Sequence, residues 1–507
     1  MKSYLSKSKY TAFRQCPKIL WMKTYKPEEE TIDPALKTRF EAGNEVGDLA
    51  MRLFGDFEEV TVTDSNGRLD LKEMLRRTED CMSRGVENIC EASFSWDGNY
   101  CAVDILHRQG DGYAIYEVKS SSNSYSDPLM DKALMHYAWD IAYQKYVLTQ
   151  CGVKVTGVYL VQLNSDYIRG NELDIQELFI KTDMSELVEM EYPDVPVNIA
   201  KVRTVLQDDQ EPAAKFSQGC RKPYACTFWQ YCSRCLPKPS VFNLYSIRFN
   251  TALKYYNKDI VRFEDVQSVK LTDMQRLQVN CELSGNGYIN KNGIRSFLDA
   301  NIRYPLYFLD FETVQDVIPQ YEGTKPYQHI PFQYSLHWIE SPAGELKHTA
   351  FLGESGKDPR RLLAEQLCHD IPLNACTTAY NKGFECARIK ELADAYPDLR
   401  YHLLNIRDNI VDFLNPFQAG YYYLPAMNGS FSIKKVLPAL FPDDPQLNYA
   451  NLTGSVHNGG EAMTIFPKIK DMSPEEQQKV RQSLLDYCHL DTLAMVRIWQ
   501  KLEEVSR

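Results

Sequence analysis

The stretch Pro305-Leu306-Tyr307-Phe308-Leu309-Asp310-Phe311-Glu312-Thr313 constrains this chain more than any other. Its apolar residues predict a buried strand, and alternation places Asp310 and Glu312 on one face with Leu309 and Phe311 on the other. Two carboxylates on one face of a buried strand are costly unless something offsets their charge, and a metal ion does so. Far downstream, the pattern predicts a long amphipathic helix from about Pro474 to Glu504, in which Tyr487 and Asp491 stand four apart and share a face. Between them, Ala379-Tyr380-Asn381-Lys382-Gly383-Phe384-Glu385 reads as an apolar strand that ends at Asn381, with Glu385 starting a helix.

A chain of 507 residues is too long for one hydrophobic core, so at least two domains are expected. The clearest seam is Leu236-Pro237-Lys238-Pro239-Ser240-Val241-Phe242. It divides a first domain over 1–240 from a helical connector over 241–302 and a last domain over 303–507. Strand-like runs are interleaved with helical ones in both large segments, which predicts the α/β class.

In the first segment three strands follow one another: 87–96, 100–109 and 112–121. Glycines 98, 110 and 112 punctuate them as antiparallel hairpins require. A helix over 131–150 and an apolar strand over 155–163 come next. Glu91, Asp104 and Glu117 lie on the three strands, Lys119 is two residues beyond Glu117, and Gln144 is on the helix. Carboxylates on neighbouring strands can hold a divalent cation that polarises a phosphodiester and activates water. A lysine beside them can orient that water or meet developing charge. The bland reading, a solvated strand end, fits an isolated Glu-x-Lys equally well.

Cys220, Cys226, Cys232 and Cys235 fall within sixteen residues, spaced C-x5-C-x5-C-x2-C. Such density in a chain without an export signal points to a metal centre rather than disulfides. All four together could close a zinc site. Cys16, in a basic and aromatic segment, offers another ligand from far away in sequence.

Composition decides less. Apolar content of 44% and charged content of 25% are those of ordinary globular proteins. No apolar run reaches the roughly 18 residues that span a bilayer, so no membrane association is expected, and the N-terminus lacks an apolar signal core, so a cytoplasmic location is expected. The net charge of −11 weighs weakly against a nucleic-acid partner. Lys2, Lys7, Lys9, Arg14, Lys18, Lys23 and Lys26 nevertheless make the first 27 residues basic, with no acid among them. In 421–440, three adjacent tyrosines followed by Ser430, Ser432, Lys434 and Lys435 could stack on bases and meet phosphates, or simply pack a core.

The first segment resembles the RecB-like PD-(D/E)xK nucleases of the iron–sulfur type, which include exonucleases of CRISPR adaptation. That resemblance implies Glu91, Asp104 and Glu117 as metal ligands, Lys119 as catalytic and Gln144 as closing the site. It also implies a [4Fe–4S] cluster on Cys16, Cys220, Cys226 and Cys232, with Cys235 a rival ligand and zinc the alternative. Many relatives carry an early histidine where this chain has Gly43-Asn44-Glu45-Val46-Gly47. The last segment resembles the DEDD exonucleases of the RNase H-like fold, in the subtype with a tyrosine. This implies Mg²⁺ or Mn²⁺ on Asp310, Glu312, Glu385 and Asp491, with Tyr487 positioning the attacking water. The family usually has aspartate where Glu385 stands, and Asp412 is a possible substitute. Together the segments resemble a bacterial family of two-nuclease proteins. The implied activity is nucleic-acid hydrolysis, DNA before RNA, in repair, recombination or defence. Its rivals are a 3′–5′ exonuclease of RNA working only through the C-terminal site, and a binding scaffold with decayed sites. No G-x4-G-K-[ST] loop is present, so unwinding would come from a separate helicase or another repair or defence partner.

Overall fold

The computed structural model describes residues 4–32, 34–123, 134–213 and 215–507. Lys2 and residues 131–133 of the expected helix lie outside them. The fold is mixed α/β and divides into two compact units, the first comprising Met1–Cys235 and Val317–Tyr327, the second Leu236–Asp316 and Gln328–Arg507. The expected connector clusters with the second unit; it contains the helices Phe249–Tyr256, Asp273–Ser284 and Lys291–Asn301. Among the described residues no helix is long and apolar enough to cross a membrane.

The first unit is built on a seven-stranded sheet. Its strands are β1 (Leu5–Ser6), β2 (Glu58–Glu59), β3 (Asn88–Trp96), β4 (Asn99–Gln109), β5 (Gly112–Asn123), β6 (Val155–Asn164) and β7 (Phe179–Asp183), ordered β2-β3-β4-β5-β6-β7 with β1 beside β4. The three expected strands form the antiparallel β3-β4-β5 meander, and β6 then pairs parallel to β5. Parallel pairing needs a crossover, which the helix Met135–Gln150 supplies. That helix buries Ala138, Ile141, Ala142 and Val147 against Val103, Ile115 and Leu160 of the sheet. The segment 317–327 is fastened within this unit by Arg169, whose amide and guanidinium donate to the Thr324 and Pro319 carbonyls at 2.9 and 2.8 Å.

In the second unit a two-stranded ribbon pairs β8 (Tyr288–Ile289) with β14 (Tyr422–Tyr423). The main sheet contains β9 (Leu306–Gln315), β10 (His329–Ile339), β11 (Lys347–Leu352), β12 (Cys376–Ala379) and β13 (Ile410–Asp412). Its order is β11-β10-β9-β12-β13. β10 and β11 run antiparallel to their neighbours, whereas β12 and β13 run parallel to β9. The final helix spans Pro474–Ser506 and begins at a capping box in which Ser473 and Glu476 satisfy each other's backbone amides. It buries Leu490, Ala494, Ile498 and Leu502 in one core with Phe308, Phe413 and Phe417. The tyrosine run belongs to that core. Tyr422 and Tyr423 are buried, and the Tyr423 hydroxyl donates to Glu282 at 2.9 Å, so packing rather than base stacking occupies these two rings.

Candidate functional site

Three clusters emerge, each from residues distant in sequence. In the first unit, the last residue pair between β4 and β5 is Ile105 with Tyr116. The β3–β4 register passes from Cys90–Ile105 to Ala92–Val103 and leaves Glu91 and Asp104 between those pairs, while Asp104 and Glu117 lie just beyond the last β4–β5 pair. The three expected carboxylates nevertheless come together across three strands, close enough for Asp104 and Glu117 both to disfavour charge on Glu91. Glu91 sits at φ +56°, an uncommon conformation for a non-glycine residue that is often found at functional sites.

Glu117 is fully buried and heavily partnered. Gln144 Nε2 donates to its Oε2 at 2.6 Å and the Lys119 ammonium donates to its Oε1. Lys7 Nζ lies 3.1 Å from both oxygens of Glu117 and 3.4 Å from Asp104 Oδ1. Asp140 completes the network, accepting from Lys119 at 3.2 Å and from Gln144 at 3.1 Å. Burial opposes charge on Glu117, but Lys119 and Lys7 overcome it and hold the carboxyl below its usual range. For Glu91 the balance reverses: burial, then Asp104, outweighs Lys7 and pushes it up to about 7.

Sequence reasoning missed Lys7 and Asp140. Asp140 stands one helical turn before Gln144, and the same four-residue spacing could have found it. Lys7 is delivered by packing: β1 pairs with Asn99 and Tyr100 of β4, and Ser6 caps the helix Lys7–Gln15. No sequence signal separated it from its basic neighbours.

The second cluster gathers Cys16, Cys220, Cys226 and Cys232 around one cavity, with Ile19, Met22, Phe216, Phe228 and Trp229 among the walls. Gln15 stitches the two arms together, donating to the carbonyls of Gly219 and Tyr224 at 2.8 Å each. A Cβ at Gly219 would lie 2.4 Å from the Gln15 carbonyl oxygen, so this approach requires glycine. Cys235 does not line the cavity; it is exposed and points to the Cys232 carbonyl. Burial, reinforced by the neighbouring cysteines, pushes the Cys226 thiol up to about 11. Four converging thiols in an apolar shell fit a metal, which stabilises the thiolates that burial disfavours.

The third cluster lies in the second unit. Asp310 and Glu312 project from β9, Glu385 from the first turn of the helix Gly383–Ala395, and Tyr487 and Asp491 from the last helix. Asp310, Glu312 and Cys488 bring potential ligand atoms within 4.8 Å of one another. Burial, then the neighbouring acids, drives Asp310 and Glu312 far above the carboxylate range. Burial raises Asp491 to about 6 and Glu385 to about 8. Burial is the main cause throughout, and for Asp310 and Glu312 the crowding of the other acids adds to it.

The two candidates for the fourth carboxylate differ clearly. Asp412 is occupied by backbone: Oδ1 accepts from the amides of Asn381 and Leu414 at 2.9 Å each, and Oδ2 accepts from Lys382 at 3.1 Å. Glu385 is 4% exposed, and its Oε2 has no hydrogen-bond partner among the described residues. An orphaned buried oxygen is costly and suits a metal ligand. Around the acids, Tyr449 donates to Asp491 Oδ1 at 2.6 Å, and Lys434 Nζ lies over the rings of Tyr449 and Tyr487 at 5.5 and 5.6 Å. The backbone approaches Glu312 so closely at Gly459 that an added Cβ would lie 3.3 Å from Oε2. Neither Tyr449 nor Gly459 carried a sequence signal.

Fold and sites thus define an α/β chain with two carboxylate clusters and one cysteine centre. Residues 307–432 match a family described as a domain of unknown function, DUF2779. The matched segment includes Asp310, Glu312, Glu385 and Asp412 and ends before Tyr487 and Asp491. The chain is also similar to a protein of Ureaplasma parvum serovar 3, described as uncharacterized protein UU173, at 26% identity over 287 residues. That similarity covers 50% of this chain and 41% of the relative, so the chain spans less than half the relative's length. No solved structure matches.

Proposed function

We propose that this chain is a metal-dependent nuclease, acting as an exonuclease on DNA in preference to RNA, in cytoplasmic repair, recombination or defence. The observation that carries this reading is the burial together of Asp310, Glu312, Glu385 and Asp491 beside Tyr487, with Lys434 as the cation facing Glu312 and Asp491. Such a cluster is unfavourable unless divalent cations complete it. The order β11-β10-β9-β12-β13, with acids on the central strand and a long C-terminal helix, supports an RNase H-like domain of the tyrosine-bearing DEDD subtype. The β3-β4-β5 meander with its crossover helix likewise supports a PD-(D/E)xK domain.

In the second unit, Asp310, Glu312, Glu385 and Asp491 would hold Mg²⁺ or Mn²⁺, which activates water and offsets phosphoryl charge. Burial and the three nearest acids raise the Tyr487 phenol far above its ordinary value, so it stays a neutral donor able to orient water. Lys434 supplies a cation for a substrate phosphate. In the first unit, Glu91, Asp104 and Glu117 would be the ligands, with Lys119 stabilising developing charge. The four cysteines would hold a [4Fe–4S] cluster that ties Cys16 to the segment 220–232.

Lys7 favours a second reading, in which only the C-terminal site cuts. Its ammonium already sits between Asp104 and Glu117, giving these acids a countercharge without metal. The first unit would then bind and guide the strand. The test is release of mononucleotides from single-stranded DNA by anaerobically purified protein supplied with Mn²⁺. Release that stops with chelator and in Glu312→Gln is expected; a wild-type protein that binds DNA and releases nothing under any divalent cation would replace the nuclease with a scaffold.

A further inference from the structure

Away from both carboxylate clusters, three histidines from three elements of the second unit converge. His337 of β10 and His348 of β11 are directly opposite in the strand register, and His489 reaches them from the last helix. Their ring centroids are 4.5 Å (His337–His348), 4.7 Å (His337–His489) and 4.5 Å (His348–His489) apart. One ring nitrogen from each lies within 4.8 Å of those of the other two. His489 is two residues from Asp491, about 200° around the helix, so it faces away from the acid cluster.

The hydroxyls behind the rings fix which nitrogens are available. Thr492 Oγ1 lies 3.1 Å from the His489 carbonyl oxygen, which can only accept, so the threonine proton points there. The same Oγ1 is 2.8 Å from His337 Nδ1 and 2.7 Å from Ser335 Oγ, and must accept from both. Ser335 Oγ, having donated its proton, accepts in turn from His348 Nε2 at 2.9 Å. The chain runs in one direction and satisfies both hydroxyls. It leaves lone pairs on His337 Nε2 and His348 Nδ1, and the ring nitrogens of His489 have no hydrogen-bond partner among the described residues. Imidazoles oriented through the far nitrogen are the usual second layer of a metal site.

We propose that His337, His348 and His489 form a separate site for a zinc-class divalent cation. Three neutral imidazoles suit zinc better than Mg²⁺ or Mn²⁺, which prefer oxygen. Zn–N bonds near 2.1 Å place tetrahedral ligands about 3.4 Å apart, so binding would draw together three nitrogens that lie within 4.8 Å of one another. His337 is buried and His348 exposed, so the fourth position opens to solvent. The ion would pin the β10–β11 hairpin to the helix that carries Tyr487 and Asp491. This inference does not rest on the nuclease reading, because binding is measured without substrate.

The test uses the full chain with its cysteine centre as purified, equilibrated with a small excess of Zn²⁺ over chain in a large excess of Mg²⁺ and freed of unbound metal. Wild type and Asp310→Asn are expected to retain one zinc more than His348→Ala and His489→Ala. Thr492→Val is expected to weaken zinc retention roughly tenfold to a hundredfold. Added Zn²⁺ should raise the melting temperature of wild type and leave that of His348→Ala unchanged, a comparison protected from misfolding because His348 is exposed. Equal zinc in wild type and both histidine variants overturns the site, as does a zinc complement that falls only in Asp310→Asn.

Discussion

The Tyr449 hydroxyl donates a 2.6 Å hydrogen bond to Oδ1 of Asp491, from a short 3₁₀ helix 42 residues upstream of it. Tyr487, one turn before Asp491 on the same helix, lies beside the same acid, so two tyrosines flank one proposed ligand. Their roles should separate. Tyr449→Phe removes a contact that orients the ligand and is expected to weaken Mn²⁺ affinity about tenfold with a smaller effect on turnover at saturating metal. Tyr487→Phe is expected to do the reverse. Mn²⁺ titrations of hydrolysis check both, and indistinguishable profiles would remove the distinction.

Glu385 and Asp412 should part in the same way. Glu385→Gln is expected to reduce hydrolysis on the order of a hundredfold while leaving the metal-free fold intact, because burial already keeps this carboxyl protonated when no metal is bound. Asp412→Ala strands three backbone amides and is expected to lower stability by about 3 kcal/mol. Denaturant unfolding beside an activity assay reads both outcomes. Activity that survives Glu385→Gln would shift the fourth ligand elsewhere.

The raised carboxyls of the second unit have a pH consequence. Glu385 at about 8 and Asp491 at about 6 bind protons in the folded state that the unfolded chain has released by neutral pH. Stability from these groups is therefore complete below the ordinary carboxylate range and is lost as pH rises toward 8 in the metal-free protein. Mn²⁺ must expel the same protons, so its affinity should rise from pH 6 to 8. Calorimetry in two buffers of different ionisation heat should find at least about one proton released per chain at pH 7. Zero release would contradict the assignment.

For the cysteine centre, iron content and visible absorption after anaerobic purification provide the readout. Cys16→Ser, Cys220→Ser, Cys226→Ser and Cys232→Ser should each lose the chromophore, and Cys235→Ser should keep it. Stoichiometric zinc with no iron would give the centre to the alternative metal. Retention of iron in Cys16→Ser with loss in Cys235→Ser would reverse the ligand choice.

Much of this was legible because period and chemistry coincide. Strand alternation put Asp310 and Glu312 on one face, helical spacing paired Tyr487 with Asp491, and glycines marked the β3-β4-β5 turns. The limits of the last helix were legible too: expected from Pro474 to Glu504, it spans Pro474–Ser506. What stayed hidden depends on tertiary approach. Lys7 is one basic residue among several until β1 docks on β4, Tyr449 has no periodic context, and only backbone contacts distinguish Asp412 from Glu385. The histidine triad joins residues 337, 348 and 489, which no local pattern links.

The central claim is tested most directly on end-labelled single-stranded DNA and RNA, using anaerobically purified protein with Mn²⁺ or Mg²⁺. Wild type, Asp310→Ala and Lys119→Ala are run side by side. Stepwise shortening of DNA that is lost in Asp310→Ala is expected, and Lys119→Ala then shows whether the first unit also cuts. An intact substrate with wild-type protein that holds its metal centre, on both nucleic acids and with both cations, would contradict the nuclease assignment.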